Sequence, residues 1–235
     1  MELLSGFVST VGKVRVRSLA ELQDQRELLC RLAVELQKEE YPYFLASGTL
    51  LGIYRDGDLI PWDWDLQLYF RTEDLLPRLS DFVCLLQQAG LQVELSEVRE
   101  ATEEIKVLAF QGKIKLEVTS WTRRDQFRIR RAAHLPSHLF ENTSDIEFAG
   151  TRLRTFRDPE EVLRLCYGDW RTPIRTAHKK TYLSSDFFQA DETGRSGRLF
   201  REYRRFFGRL RARAAMKLVS RKRGKWEKRR AELPR

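Results

Sequence analysis

Residues 47–70, SGTLLGIYRDGDLIPWDWDLQLYF, decide the fold. A small-residue turn (Ser47, Gly48, Thr49) leads into a short apolar run ending at Arg55, then the turn signal Asp56-Gly57-Asp58, then an apolar segment carrying Asp63 and Asp65. In an extended strand alternate residues share a face, with Cα atoms about 7 Å apart for a spacing of two. Two carboxylates so placed can share one hard divalent cation, and Mg²⁺ is commonly held by one or two carboxylates with water and substrate phosphate oxygens. A glycine turn at a helix start suits close backbone approach to a phosphate. The same alternation is ordinary for a strand with one solvated face, so the spacing alone leaves both readings standing.

Working outward, Ser18 with Glu21 three residues on is a capping box for a helix over 18–40, with Leu19, Leu22, Leu28, Leu29, Leu32, Val34 and Leu36 as its apolar stripe. Residues 43–46 read as a short buried strand, and Gly48 to Tyr54 as a short helix closed before Asp56-Gly57. Arg55 at its end is either a C-terminal capping cation or a phosphate ligand. Pro61 favours strand entry, and in a strand starting there Trp62 and Trp64 face away from the aspartates and fill the core beneath them. Thr72 opens a helix through Gln88, stopped by Gly90.

Three strand-like runs follow at 92–98, 105–111 and 113–121, the last two forming a hairpin at Gly112. Within 113–121, Ile114, Leu116 and Val118 share one face while Lys113, Lys115, Glu117 and Thr119 share the other. Glu117 is therefore either a third carboxylate brought beside Asp63 and Asp65 by strand pairing or an exposed Glu beside a Lys. Residues 122–144, rich in Arg, read as an irregular active-site loop carrying His134 and His138. Residues 145–156 read as a hairpin turning at Gly150. Asp158 and Pro159 are an N-cap and first-turn pair for a helix through Tyr167, closed by Gly168.

The string GTLLGIYRDGDLIPWDWDLQL resembles the signature of the LicD/fukutin family, a GT-L-L-G-x-x-R segment followed by IPWD and further aspartates. Residues 157–173, RDPEEVLRLCYGDWRTP, resemble that family's second segment. The resemblance implies a nucleotidyltransferase-like α/β (α+β) fold, a mixed sheet flanked by helices. It also implies a divalent cation, Mg²⁺ or Mn²⁺, and transfer of a phospho-alcohol such as phosphocholine, ribitol phosphate or glycerol phosphate. The donor would be a CDP-alcohol. The acceptor would be a cell-surface glycan or its lipid-linked precursor, of the kind found in lipopolysaccharide or teichoic acid.

Carried onto this chain, Asp63, Asp65 and Glu117 are the catalytic and metal-binding set, with Glu117 or Asp65 accepting the acceptor's proton. Gly48, Thr49, Arg55, Gln67 and Asp169 are the substrate-binding set. The family pattern continues D-x-D-h-D, and here its third acidic place is Gln67, whose neutral carbonyl is a weaker ligand for a hard cation. Either a third carboxylate comes from elsewhere or the protein is a catalytically degenerate binding protein. A nucleotidyltransferase moving the nucleoside monophosphate itself would use the same carboxylates.

Composition bounds the rest. The length of 235 residues suits one well-cored domain, placed at 1–194, with an appendage at 195–235. No run of 18 or more apolar residues occurs, and MELLSGFVSTVGKV lacks the features of a secretory signal, so the reading is a cytoplasmic chain. Cys30, Cys84 and Cys166 form no C-x-x-C pair, which suits reduced thiols. Residues 195–235 hold 17 Lys and Arg against three Glu, a net of +14, so the preceding residues carry −5 of the overall +9. Apolar residues at helical spacing from Leu199 to Val219 make this tail a basic amphipathic helix with a frayed end. An anionic membrane surface, met peripherally at its inner face through residues 199–230, a polyanionic glycan acceptor and packing on the chain's own domain are the readings that suit it, ahead of nucleic acid. Lys179 and Lys180 suit phosphate or solvent alike.

Overall fold

The computed structural model describes residues 9–11, 15–99, 103–131, 133–176, 182–184 and 187. Lys179, Lys180 and the basic tail lie outside them. The first half holds strand β1 (Ser9–Val11), helix α1 (Leu19–Lys38), β2 (Phe44–Leu45), α2 (Ser47–Asp56), β3 (Asp65–Arg71), α3 (Thr72–Leu75) and α4 (Leu79–Gln88). Then come β4 (Gln92–Val98), β5 (Ile105–Gln111), β6 (Ile114–Arg124), β7 (Phe127–Arg130), β8 (Ala133–Pro136), β9 (Thr143–Phe148), β10 (Thr151–Phe156), α5 (Pro159–Tyr167) and β11 (Ile174–Thr176).

The main sheet runs β2-β3-β6-β5-β4, extended by β7 and β8 on the far end of β6. It is mixed, because β3 and β6 are parallel while their other neighbours run antiparallel. The fold is thus the expected α/β type. Leu66, Leu68 and Phe70 of β3 and Leu116 and Val118 of β6 are buried on one face, joining a single core with Leu28, Leu29, Leu32 and Leu36 of α1. Phe44, Phe140 and Phe156 pack ring on ring within it.

Local signals set several boundaries. Ser18 Oγ accepts from the Glu21 N–H at 3.2 Å, and Glu21 accepts from the Ser18 N–H at 2.9 Å, closing the capping box. That Ser18 N–H, reinforced by Arg15, pulls the Glu21 carboxyl down to about 2. At α5 the Asp158 carboxylate accepts from the Glu161 N–H at 2.9 Å, Pro159 opens the helix, and Gly168 closes it at φ +65°. The β9–β10 turn has Ala149 and Gly150 both at positive φ, the backbone twist a two-residue hairpin requires.

Three expectations are corrected. Leu19 and Val34 are 81% and 53% exposed, so the core stripe of α1 excludes them. The helix expected over 72–88 breaks into α3, a 3-10 turn at Leu76–Arg78 and α4, because Pro77 has no N–H for an uninterrupted ladder. Thr72 does open α3, as expected, and its hydroxyl contacts those of Ser120 and Thr122 at 2.8 and 3.0 Å. The stretch 122–144 is not an irregular loop: most of it is the end of β6, β7, β8 and a 3-10 turn at Ser137–Phe140. Arginine stems account for this, since Arg128 is buried with its guanidinium 5.5 Å from the Phe140 ring centre and its charge on Glu73.

Candidate active site

β2 feeds directly into α2, and Ser47 turns the corner at φ +49°, its Oγ 2.7 Å from the Tyr69 hydroxyl. The first turn of α2 lies against β3 and the segment before it. Gly48 meets the Asp63 carboxylate so closely that a Cβ there would stand 1.7 Å from Asp63 Oδ2. The Gly48 N–H is donated to Gln67 Oε1 at 3.3 Å. The Thr49 hydroxyl accepts from the Gln67 N–H at 2.9 Å, and the Gln67 carbonyl accepts from the Ala46 N–H at 3.1 Å. Gln67 therefore ties the start of α2 to the sheet. Thr49, expected to bind substrate, is buried and spent on this tie, off the cavity wall.

Asp65 opens β3, so Asp63 and Trp64 precede the strand and the expected alternation does not reach them. The expectation that both indoles fill the core beneath the carboxylates is therefore corrected. Trp64 is 49% exposed, and Trp62, half-buried at the core's edge, lines the cavity. Asp63 is set instead by its own turn. Its N–H is donated to the Ile60 carbonyl, its Oδ1 accepts from the Trp64 N–H at 2.8 Å, and its carbonyl accepts from Arg17 Nε at 2.7 Å. Arg17 also donates its backbone N–H to the Pro61 carbonyl at 2.7 Å, and its guanidinium lies 5.2 Å from the Trp64 ring centre. Arg17 is a strap across the loop, invisible to sequence reading because nothing local couples it to a loop 46 residues away.

Parallel pairing sets Asp65 opposite Lys115 and Gln67 opposite Glu117, so these four share one face. Lys115 Nζ donates to Asp65 Oδ2 at 2.7 Å and to Glu117 Oε2 at 3.3 Å, and Lys106 Nζ lies 3.8 Å from the same Glu117 oxygen. An ammonium group thus stands between Asp65 and Glu117. Burial alone would push Glu117 up, but the charges of Lys115 and Lys106 outweigh it and hold its carboxyl below the ordinary value. Burial works against the Lys115 charge, and Asp65 and Glu117 overcome it, so its pKa is raised. Asp63 goes the other way: burial first, and the nearby Asp65 charge second, push it up to about 7.

A cavity of about 560 Å³ opens on this face. Asp63, Asp65, Gln67, Glu117, Gly48, Arg55 and Asp169 all line it, so one wall gathers most of the residues expected from the sequence. Arg55 is paired with Asp56 at 2.7 Å and donates to the Trp170 carbonyl at 3.4 Å. Asp169 accepts from the Thr172 hydroxyl at 2.6 Å. Burial pushes the Cys166 thiol, also in the wall, up to about 12. Arg130 and Lys106, not anticipated as site residues, line it too.

Among the described residues no three His, Cys, Asp or Glu side chains converge as a ready metal cage. The donor set at Asp63 and Asp65 nonetheless fits one hard cation. The two carboxylates lie beside an open cavity, burial and the Asp65 charge make Asp63 costly to ionise unaided, and the cavity leaves room for substrate phosphate and water as further oxygen ligands. Among the described residues no helix is long and apolar enough to cross a membrane.

Residues 40–158 match the family model "LicD/FKTN/FKRP, nucleotidyltransferase domain". Over 107 residues the chain is 36% identical to ribitol-5-phosphate transferase FKTN of Homo sapiens, covering 44% of this chain and 22% of that protein. The Mus musculus protein of the same name is 35% identical over 97 residues, covering 40% of this chain and 20% of that protein. The chain spans about a fifth of the length of these curated relatives. Two solved structures of ANT(2")-Ia, a crystal structure in complex with adenylyl-2"-tobramycin and a solution structure, superpose with TM-scores of 0.43. Their identities are 16% and 15%, covering 60% and 85% of this chain and 73% and 98% of theirs.

Proposed function

Because the chain belongs to the LicD/FKTN/FKRP nucleotidyltransferase-domain family, we propose that it is a phosphotransferase moving a phospho-alcohol from a CDP-linked donor to a glycan or lipid-linked glycan acceptor. The name of the curated relatives supports ribitol phosphate as the cargo. The observation that carries the reading is the pair Asp63 and Asp65 in one cavity wall, packed against a helix start whose Gly48 leaves no room for a side chain.

In the proposed reaction the acceptor hydroxyl oxygen attacks the phosphorus bearing the alcohol. The bridging P–O bond to CMP breaks, CMP leaves with the electron pair, and the hydroxyl proton passes to a base. Mg²⁺ or Mn²⁺ held by Asp63 and Asp65 would supply charge stabilisation for the transferring group and the leaving phosphate. Lys115 orients Asp65, and Gly48 leaves the room Asp63 occupies. Glu117 and Asp65 both face the cavity as candidates for that base, and both accept from Lys115, which with Lys106 holds Glu117 below its ordinary pKa and lowers its strength as a base. The place of Glu117 beside Lys115 suits fixing that ammonium in the cavity.

The test is transfer from CDP-ribitol, CDP-glycerol and CDP-choline, with and without Mg²⁺ or Mn²⁺, on wild type and Asp65→Asn. Metal-dependent release of CMP with the alcohol phosphate on the acceptor, lost in D65N, is the expected result. Appearance of the nucleotide itself on the acceptor would make the protein a nucleotidyltransferase. Absence of donor binding with any metal would leave a degenerate binding protein.

A further inference from the structure

The cavity is lined by five basic side chains, and four have carboxylate neighbours. Arg55 is paired with Asp56, Lys115 with Asp65 and Glu117, and Lys106 with Glu117, while Arg131 lies 3.8 Å from Glu104. Arg130, the last residue of β7, differs. No Asp or Glu among the described residues comes within ion-pair distance of it. Its one hydrogen bond among them runs from Nη2 to the Tyr69 hydroxyl at 3.3 Å, and its Nε is buried without a partner. That same hydroxyl contacts Ser47 at the start of α2, so the guanidinium sits one side chain away from the helix start that packs on Asp63. It lies 5.1 Å from the Tyr69 ring centre and 5.5 Å from that of Trp121, on a platform fixed by the core. Its charge reaches the groups around it, working against the rise in the Tyr69 and Cys166 pKa values and helping to hold Glu117 ionised.

A half-buried guanidinium held beside two aromatic rings, with spare N–H donors and no acid within ion-pair distance among the described residues, is a preorganised anion site. The two rings, tilted 57° to each other, hold the guanidinium between them, and with Nη2 engaged by the Tyr69 hydroxyl the Nη1 donors remain for phosphoryl oxygen. We propose that Arg130 binds a phosphoryl group in this cavity, as a substrate-binding residue distinct from the carboxylate pair. Its place in catalysis rests on the phosphotransfer reading; its capacity to bind an anion rests on the cavity alone. The phosphoryl group belongs either to the donor's diphosphate or to a phosphate on the acceptor.

The probe is inorganic pyrophosphate, titrated calorimetrically into the full chain as wild type, Arg130→Gln and Arg130→Lys, with circular dichroism and thermal melting as folding controls. Wild type should bind pyrophosphate, and R130Q should bind it weaker by on the order of tenfold or more. R130K, which keeps the charge and the bulk but not the planar fork, should recover part of the loss and serves if R130Q fails to fold. No binding by wild type, or equal binding by wild type and the folded variants, overturns the proposal. Steady-state kinetics then locate the phosphate: a rise in the KM for the CDP-alcohol with little change in kcat assigns the donor, and a rise confined to the acceptor KM assigns the acceptor. Unchanged KM values for both also overturn it. Arg130-dependent pyrophosphate binding without turnover of any CDP-alcohol would refute the proposed reaction and leave this site standing.

Discussion

Replacing Gly48 by Ala probes the contact between the first turn of α2 and the Asp63 carboxylate. In an unobstructed helix this change stabilises by roughly 0.5–1 kcal/mol, because Gly loses more chain entropy on folding. Here the added Cβ would stand 1.7 Å from Asp63 Oδ2 and 2.8 Å from its Cγ, where ordinary contact begins at 3.4 Å. The carboxylate must therefore retreat by roughly half the contact distance, or α2 must lift off the loop. Asp63 is no loose arm: its Oδ1 holds the Trp64 N–H at 2.8 Å, and its backbone is tied to Ile60 and Arg17. Overpacking of this kind costs about 1–3 kcal/mol, which outweighs the entropic gain. For a domain of this size the net loss lowers the melting temperature by up to about 10 °C. The effect on transfer is larger in proportion, since a misplacement of about 1 Å at a reacting centre costs on the order of 10²-fold in rate. Thermal melting with and without Mg²⁺, together with CMP release from the CDP-alcohols under test, reads both quantities on Gly48→Ala. A variant that melts at or above the wild-type temperature and keeps wild-type metal-dependent turnover would refute the packing argument.

Three further outcomes are expected. Asp63 titrates at about 7 in the folded chain against an ordinary 3.8, so between those values the fold holds a proton that the unfolded chain has released, and metal-free stability falls as pH rises through that window. Asp63→Asn removes this slope: in EDTA its melting temperature relative to wild type should climb from about pH 4 to about pH 7 and level off above, and a flat difference would contradict the assignment. Lys115→Met strands Asp65 and Glu117 without their ammonium and should cost on the order of 1–3 kcal/mol in urea unfolding at pH 7. Because Lys115 helps hold Glu117 below its ordinary pKa, that deficit should shrink once pH falls below the ordinary carboxylate range, and an equal deficit at pH 7 and pH 3 would contradict it. Arg17→Met cuts the bond to the Asp63 carbonyl and removes a charge that opposes the rise of Asp63, so the acid limb of the pH–rate profile should move to higher pH; an unmoved limb would contradict the strap.

What the sequence disclosed and what it concealed divide by the range over which each feature is decided. The capping box at Ser18 and Glu21, the Asp158–Pro159 start and Gly168 stop of α5, and the turn at Gly150 are each settled within a few residues, and the structure keeps them. Alternation in 113–121 correctly put Lys115 and Glu117 on one face, yet it carried no information on register across the sheet. The position of Lys115 Nζ between Asp65 and Glu117 arises only when β6 pairs with β3, 50 residues earlier in the chain. Alternation misplaces the tryptophans because β3 begins only at Asp65 and a turn governs what precedes it. The arginine-rich stretch after residue 122 read as a loop because arginine counts as polar by composition. Arg128 and Arg130 instead bring their guanidinium groups to within 5.5 Å of the Phe140, Tyr69 and Trp121 ring centres and pair as strand residues.

Gln67 acquires a different meaning once its partners are known. Read as a gap in an acidic pattern, it is a lost ligand. In the fold it receives the Gly48 N–H on its side-chain oxygen, while its backbone N–H and carbonyl engage Thr49 and Ala46, so one residue clamps the start of α2 at three points. A carboxylate at this place could accept the same Gly48 N–H, but it would add a charge opposite Glu117 and beside a carboxyl, Asp63, that burial and Asp65 already push up to about 7. The neutral amide preserves the clamp without that repulsion. Asp65 and Glu117 then share Lys115, and Asp63 is left as a buried acid on this wall whose charge calls for a cation from outside the chain. Divalent-ion affinity should therefore depend more on how firmly the loop at Asp63 is held, through Arg17 and Gly48, than on whether position 67 is acidic.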